Sequence, residues 1–509
     1  MHVAIRVDAS ATMGTGHLKR CLSLVQAMIE QGAQVSLVTR ALDGVAAQVL
    51  RAVPGPVHWL PAPGGSFQTD GTSTPHAAWA GVSWTQDAND TANVLRTERP
   101  DWLVVDHYAF DARWHDALRS TLGCRLLVID DTADRTLAPD ALLDHNWAPD
   151  HRAKYVGLLL QEPHWLAGPR YALLSPAYQN APRYAFQPLV RSVGIFMGGT
   201  DPDGISARVL AACRATGFAG TIEVVSTSGN PHLSSLRQAC AADPSTILTL
   251  DQTDLAAFFA RHDLQIGAGG GATWERCCIG APTLAIAVAV NQCAVVPGLA
   301  SLGAVLETNV ATLTNTLREL IQDPMARQAL ATQAAALVDG RGAQRVALHM
   351  LRDTLQLRVA TLADAPVLHG WRNHQAVRAV SDSSEPIAFE SHQNWMQRVL
   401  QSPDRWLFVA QVGDLPVGSI RFDRLENGHL EVSLYTDPQL QGLGVGPRLL
   451  LVGEQQMHHR LQTPFSVNAT VLAGNTASQK LFEGSGYHGG PLLYRKTIGH
   501  LPDEPTATP

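Results

Sequence analysis

The sequence predicts an α/β protein in three parts: two successive βαβ halves built on parallel sheets, then a smaller α+β domain. Three observations carry that prediction. Short apolar runs alternate with helix-periodic segments over about the first 350 residues. Those runs end in acidic residues or in glycine clusters. At ~150 residues per domain, 509 residues suggest about three domains.

The first half opens on an apolar run, Val3–Val7, that reads as a strand. A loop with Gly14 and Gly16 follows, then a helical segment, Leu18–Ile29, and a second strand, Gln34–Thr39. Trp102–Val105 and Leu126–Ile129 repeat the theme and run into Asp106 and Asp130-Asp131. Residues 54–76 are rich in Pro, Gly, Ser and Thr and read as a long mobile loop. The second half begins near 190 with Val193–Met197, which stops at Gly198-Gly199-Thr200-Asp201-Pro202. Ile222–Ser226, Ile247–Leu250, Leu264–Ile266 and Thr283–Val290 are its further strands, and Leu264–Ile266 runs into Gly267-Ala268-Gly269-Gly270-Gly271. Ala326–Leu355 reads as helix and closes this half. The third part starts near Leu357, with a helix over Pro366–Arg378 and strands at Trp406–Gln411, Val417–Arg421 and His429–Tyr435. The expected boundaries are 1–188, 189–352 and 357–497, with a disordered tail over 498–509.

Composition narrows the function. The chain is 45% hydrophobic and 16% charged, an ordinary globular balance. It carries 38 basic against 45 acidic residues, for a net charge of −7, which lacks the footprint of a nucleic-acid binder. Lysine stands only at 19, 154, 480 and 496, so arginine is a compositional habit and a single Arg is a poor phosphate signal. No apolar run reaches the ~18 residues of a membrane span, and the start lacks a secretory pattern. The expectation is a cytoplasmic protein without stable membrane association, its oligomeric state left open. The 7 cysteines are scattered without a CxxC pair, against a zinc ribbon or a disulfide framework. Cys277-Cys278 reads as helix packing. The carboxylates are dispersed, and no metal is expected.

Two motifs carry chemistry. In the third part, Gln441-Gly442-Leu443-Gly444-Val445-Gly446 lies between a strand and a helix. Glycines let backbone amides approach a diphosphate, and a helix N-terminus favours its charge. A tight turn explains one such loop equally well. The run NTASQKLFEGSGY, with Asn475, Ser478, Leu481, Phe482, Gly486 and Tyr487, follows at a matching distance. Together they resemble the GNAT family of acetyl-CoA-dependent N-acetyltransferases over residues 357–497. The resemblance implies that backbone amides from Leu443 through Gly444, Val445 and Gly446 to Arg448 hold the pyrophosphate, with Gln441 opening the loop. It also implies that acetyl-CoA is the cosubstrate, with Asn475, Ser478 and Phe482 beside it. Many members have a tyrosine where this chain has Phe482, so the acid for the departing thiolate must differ. Tyr487 is a nearby hydroxyl or a packing residue. Glu431 is a base toward the acceptor amine or an outward strand residue. Trp371-Arg372-Asn373, together with the later His392 and Trp395, resemble the branch that acetylates a 4-amino UDP-sugar; the Arg, Asn and Trp bind a diphosphate and stack a uracil or sugar, or form a helix face against the sheet.

In the first half, Gly14-Thr15-Gly16-His17-Leu18-Lys19-Arg20 joins a strand to a helix. His17 then stands at a helix start beyond the carboxyl end of a parallel strand, where ligands bind in open α/β sheets. A helix N-terminus disfavours imidazolium and suits His17 to accept a proton. Further pieces follow in order: Trp84 with Asp87, Asp106-His107-Tyr108, Asp130-Asp131, Asn146, Met197 to Asp201, Gly269-Gly270-Gly271 with Glu275, and Asn291-Gln292. This set is similar to the UDP-2,4-diacetamido-2,4,6-trideoxy-β-L-altropyranose hydrolases of pseudaminic acid synthesis, relatives of GT-B glycosyltransferases. The resemblance implies two Rossmann-like domains in a GT-B-like arrangement ahead of the GNAT α+β domain. It implies hydrolysis at C1 with inversion, His17 as base, and stabilisation of the departing UDP by the helix after Gly269-Gly270-Gly271 and by the Gly199-Thr200 turn. Glu275 would bind ribose, with Asn291 and Gln292 at the same site. Asp8, Gly14, Gly16, Asp106, His107, Tyr108 and Asp131 would orient His17 or hold the sugar, although Asp130 and Asp131 read equally as helix caps. The two halves of the reading fit one pathway: N4 acetylation of a UDP-4-amino-4,6-dideoxy-N-acetyl-altrosamine, then hydrolysis of the product. A different diamino UDP-sugar, or a glycosyltransferase fused to the GNAT domain, remains open at this point.

Overall fold

The computed structural model describes residues 1–50, 53–65, 67–381, 383–490 and 493–499. Residues 2–29 and 34–346 make one compact unit, and the chain from 347 onward makes the bulk of a second. Of the expected tail, residues 500–509 lie outside the described residues, while Ile498 ends a paired strand.

The first unit contains two sheets. The strands of one are β1 (His2–Val7), β2 (Gln34–Arg40), β3 (Val57–Leu60), β4 (Trp102–Asp106), β5 (Arg125–Ile129), β6 (Ala141–Asp144) and β7 (His164–Ala167), in the order β3-β2-β1-β4-β5-β6-β7. Every pairing is parallel. The apolar runs explain this: Val3, Ala4, Ile5, Leu103, Val104, Leu126 and Leu127 are fully buried, as strands covered by helices on both faces must be. The other sheet has β8 (Ser192–Phe196), β9 (Thr221–Ser226), β10 (Thr246–Leu250), β11 (Leu264–Ala268), β12 (Thr283–Ile286) and β13 (Leu306–Thr308). Its order is β10-β9-β8-β11-β12-β13, again all parallel.

Both orders reverse direction at one place, between β1 and β4 and between β8 and β11. There the connections leave on opposite faces and open a crevice beyond the strand ends. The loops after β1, β4, β8 and β11 are those that carry the His17, Asp106, Gly199 and Gly269 motifs. The topology is that of two Rossmann-like domains.

The second unit holds a mixed sheet of β14 (Gln356–Val359), β15 (Arg405–Val412), β16 (Leu415–Arg424), β17 (Leu430–Thr436), β18 (Phe465–Ala469), β19 (His488–Gly490) and β20 (Leu493–Ile498). Its order is β14-β15-β16-β17-β18-β20-β19. All pairs are antiparallel except β17 with β18, which match only at Leu430↔Val467 and Glu431↔Asn468. Past Glu431 the two strands no longer pair with each other, although β17 stays paired with β16 and β18 with β20.

Several expectations are corrected. The presumed mobile loop at 54–76 contains β3, whose Val57 and Leu60 pair with Leu37 and Arg40 of β2. Farther along, Arg113 donates to the Thr72 carbonyl at 2.8 Å and the Thr74 hydroxyl to that of Ala109 at 3.0 Å. The strand expected over 283–290 stops at Ile286. The long helix expected over 326–355 is broken at Gly340, which takes a left-handed φ of 85° between Pro324–Leu337 and Gly342–Leu351. Helix 366–378 divides at His374, whose extended backbone separates Ala365–Asn373 from Gln375–Arg378. Cys277 and Cys278 are buried in the helix Ala272–Ile279, as packing residues. No helix among the described residues is long and apolar enough to cross a membrane.

Candidate active sites

Four buried charges brace the first switch point. Arg6 on β1 donates to Asp8 at 2.8 Å and to Asp87 at 2.6 Å, and Arg40 on β2 donates to Asp87 at 2.8 Å. All four side chains are fully buried. Asp8 also accepts the Arg40 amide at 2.7 Å and faces His107 Nε2 at 3.2 Å. Burial would raise the Asp8 carboxyl, but Arg6 and His107 hold it well below the ordinary range. His107 Nδ1 accepts the Ala109 amide at 3.1 Å. Asp8 and His107 are therefore engaged within the scaffold. Asp130 is likewise structural, accepting the Ala133 amide at 3.0 Å and pairing with Arg135 at 2.7 Å.

His17 lies at the second position of the helix Gly16–Glu30. The chain reaches it through a tight turn in which the Gly14 amide donates to the Ser10 carbonyl at 2.7 Å and Gly14 takes a φ of 73°. His17 Nδ1 stands 2.6 Å from Oδ1 of Asp106, the last residue of β4. Arg20, one turn along the same helix, donates to both Asp106 oxygens at 2.6 Å. Burial would raise the Asp106 carboxyl, but Arg20 and His17 hold it well below the usual range. An ionised carboxylate only accepts, so the contact with Asp106 calls for a proton on Nδ1, which leaves the Nε2 lone pair free in the neutral ring; Arg20 Nη2 also lies 3.2 Å from Nδ1. Arg20 closes the sequence motif that contains His17 but carries no role there; its i+3 spacing from His17 puts both on one helix face.

Around His17 stand three more rings. Tyr108 meets it edge-on at 4.7 Å between centroids and Trp79 at 6.2 Å; His76 lies 4.7 Å from Trp79. The Tyr108 hydroxyl donates to Asp131, which also accepts from Asn146 at 2.8 Å. Asp131 thus fixes Tyr108. His145, also buried, is pushed down to about 4 by burial, with Arg20 adding to the effect.

At the second switch point, β11 leads through Gly269-Gly270-Gly271 into the helix Ala272–Ile279, whose start has no side-chain cap. A Cβ on Gly269 would lie 2.2 Å from Val296, whereas one on Gly271 would meet nothing within 4 Å. So Gly269 is needed for packing, and Gly271 leaves the helix start open. Burial pushes the half-buried Glu275 up to about 7, against a hydrogen bond from Tyr178. Gln292 accepts the Val288 amide at 2.9 Å and lies against Gly269 and Gly270; Asn291 is exposed. After β8, the Gly199 carbonyl accepts from Thr227 at 2.6 Å, Thr200 is exposed, and Asp201 accepts the Ile205 and Ser206 amides at 2.8 and 2.9 Å as a helix cap.

In the second unit, Gly442 and Gly444 take φ values of 83° and 77° and lead into the helix Val445–Leu461. That helix also lacks a side-chain cap, so its first amides are free of one. Leu443 and Val445 are buried beneath the loop, Gln441 is exposed, and Gly446 faces Leu481. Arg448 donates to the Asp353 carbonyl at 2.8 Å. The uncapped amides beside the parted β17 and β18 suit a diphosphate with an extended tail, as acetyl-CoA has. Asn475 caps the helix Thr476–Gly484 by accepting the Ser478 amide at 3.1 Å. Phe482 is buried against Tyr487 at 4.9 Å. Tyr487 donates to Glu454 at 2.8 Å, and burial together with Glu454 raises its hydroxyl well above the ordinary value. The hydroxyl is committed there, so Tyr487 is a packing residue. Glu431, at the last β17–β18 pair, accepts from Thr470 at 2.9 Å. Trp371 is buried in the core with Leu368 and Met396, and Asn373 holds the Ile387 backbone at 2.8 and 2.9 Å; both are structural. Arg372 Nη1 is buried without a hydrogen-bond partner. Among the described residues, no group of three or more His, Cys, Asp or Glu is arranged to hold a metal.

Comparison with known proteins finds relatives of both parts of the chain. Residues 354–488 match the model for the Acetyltransferase (GNAT) domain. The chain is 29% identical over 262 residues to the spore coat polysaccharide biosynthesis protein SpsG of Bacillus subtilis, covering 50% of this chain and 76% of that protein. It is 24% identical over 298 residues to a UDP-2,4-diacetamido-2,4,6-trideoxy-beta-L-altropyranose hydrolase of Campylobacter jejuni, covering 57% of this chain and 93% of that protein. Among solved structures, MurG of Acinetobacter baumannii superposes with a TM-score of 0.48 at 15% identity, covering 68% of this chain and 98% of that one.

Proposed function

We propose, for a chain that carries a GNAT acetyltransferase domain at residues 354–488 behind a hydrolase-like pair of Rossmann-like domains, that it is a bifunctional nucleotide-sugar enzyme. The GNAT domain acetylates the 4-amino group of a UDP-4-amino-4,6-dideoxy-N-acetyl-altrosamine. The first unit then hydrolyses the UDP-2,4-diacetamido-2,4,6-trideoxy-altrose at C1 and releases UDP. The observation that carries the hydrolase reading is the His17–Asp106 pair at 2.6 Å, set at the β1–β4 switch point.

In the hydrolytic step, the water oxygen attacks C1 and its proton passes to His17 Nε2. The C1–O bond breaks, and its electron pair stays on the terminal phosphate oxygen of UDP. Asp106 steadies the imidazolium that forms, and Arg20 holds Asp106 in place. The uncapped start of the helix Ala272–Ile279 and the Gly199-Thr200 turn stabilise the charge growing on UDP. Glu275 is the candidate for the ribose, with Asn291 and Gln292 beside it. In the other step, acetyl-CoA supplies an activated acetyl group. The amides after Gly444 hold its diphosphate, and Glu431 is the candidate to take the amine proton.

A time course followed by mass spectrometry tests the reading, with UDP-4-amino-4,6-dideoxy-N-acetyl-β-L-altrosamine and the whole chain, with and without acetyl-CoA. Acetyl gain followed by UDP release, dependent on acetyl-CoA, is expected. Acetylation without UDP release would remove the hydrolase assignment and favour a glycosyltransferase. No acetylation would remove the sugar assignment.

A further inference from the structure

We infer that Trp79, with His76 beside it, is the wall that holds the apolar face of the pyranose next to His17, and so selects N-acylated deoxy sugars. The inference rests on the hydrolase reading above. Neither residue belongs to the motifs after β1, β4, β8 or β11. Trp79 sits on the short turn Ala77–Ala80, just beyond the 54–76 segment whose composition reads as loop, and His76, the last residue of that segment, is the N-cap of the turn.

The geometry is that of a built surface. Trp79 and Tyr108 are tilted by only 33° at 5.8 Å, and His76 lies 5.6 Å from Tyr108. The His17 ring stands nearly perpendicular to both, at 80° to Trp79 and 79° to Tyr108. Arg135 covers one face of Tyr108 at 5.6 Å, and the Tyr108 hydroxyl is spent on Asp131. Tyr108 therefore backs the wall, while Trp79 and His76, both half-buried, supply its open part. Trp114, in the core of the same half, is fully buried. A large aromatic left half open beside a buried His–Asp pair offers a π face and a single indole N–H donor. Its match is a pyranose C–H face whose substituents are methyl and acetamido groups in place of hydroxyls.

The test is equilibrium binding of UDP and of UDP-2,4-diacetamido-2,4,6-trideoxy-β-L-altropyranose to the whole chain carrying His17→Ala, so that substrate survives. Trp79→Ala removes the wall. Trp79→Leu keeps its bulk but not its π face, and guards against loss of folding. The affinity ratio of the UDP-sugar to UDP is expected to fall about tenfold in both, with UDP affinity itself held within about twofold. An unchanged ratio in a folded variant overturns the wall and leaves the hydrolase reading standing. An equal loss of UDP affinity also overturns it, since Trp79 would then act on the nucleotide or the fold. Failure of the parent chain to bind UDP or its sugar overturns the hydrolase reading, and the wall with it.

Discussion

His17 Nδ1 and Asp106 Oδ1 stand 2.6 Å apart across the β1–β4 switch point, one from the start of the helix after the first strand and one from the end of the fourth. The pair fixes the tautomer of His17. His17→Ala should reduce UDP release by about 10²–10⁴-fold while leaving UDP affinity intact. Asp106→Asn can present a donor to Nδ1 and favour the wrong tautomer, so kcat should fall with little change in KM. Steady-state kinetics on both variants checks this. Unaltered turnover in His17→Ala removes the base.

The buried charges beneath that pair answer to stability. Asp87→Ala leaves Arg6 and Arg40 short of their shared partner in a fully buried site. It should cost about 3–5 kcal/mol in urea unfolding.

Acid should loosen the first unit partly through His145. Its ring is held down at about 4 by burial, whereas a free imidazole titrates near ~6.5. Between those values the unfolded chain takes up a proton that the folded chain refuses. The stability from His145 is thus full above about 6.5 and is lost progressively as pH falls toward about 4. His145→Asn should flatten that part of the stability–pH curve, read from urea midpoints.

In the GNAT domain, Tyr487→Phe removes a hydrogen bond to Glu454 but no group at the reacting centre. Acetyl transfer per folded enzyme should be unchanged, with about 1 kcal/mol lost in stability. A large fall in kcat would return Tyr487 to the chemistry.

Gly269→Ala tests the second switch point. The added methyl would lie 2.2 Å from Val296, so the loop or the helix Val295–Ser301 must shift. Overpacking of this kind costs about 1–3 kcal/mol. UDP affinity, read by calorimetry, should fall with it.

Much of this was legible in the residues. Apolar runs ending in His, Asp or Gly motifs placed four loops correctly at strand ends, because a parallel strand buried on both faces needs an unbroken apolar run. What escaped was decided by distance in space. β3 is four residues long between Pro56 and Pro61, too short to register against its breakers. Asp8 and His107 stand in functional-looking motifs, yet Arg6, Arg40 and the Ala109 amide consume them. Trp79 reaches His17 only because the segment that carries it folds back over the end of β4, and no local pattern announces that.

The most direct measurement of the central claim is UDP release from the diacetamido UDP-sugar in water enriched in heavy oxygen, with the UDP weighed by mass spectrometry. Attack at C1 by water activated at His17 predicts UDP of ordinary mass, since its bridging oxygen stays with the phosphate. UDP carrying one heavy oxygen would mean attack at phosphorus, and would contradict the account.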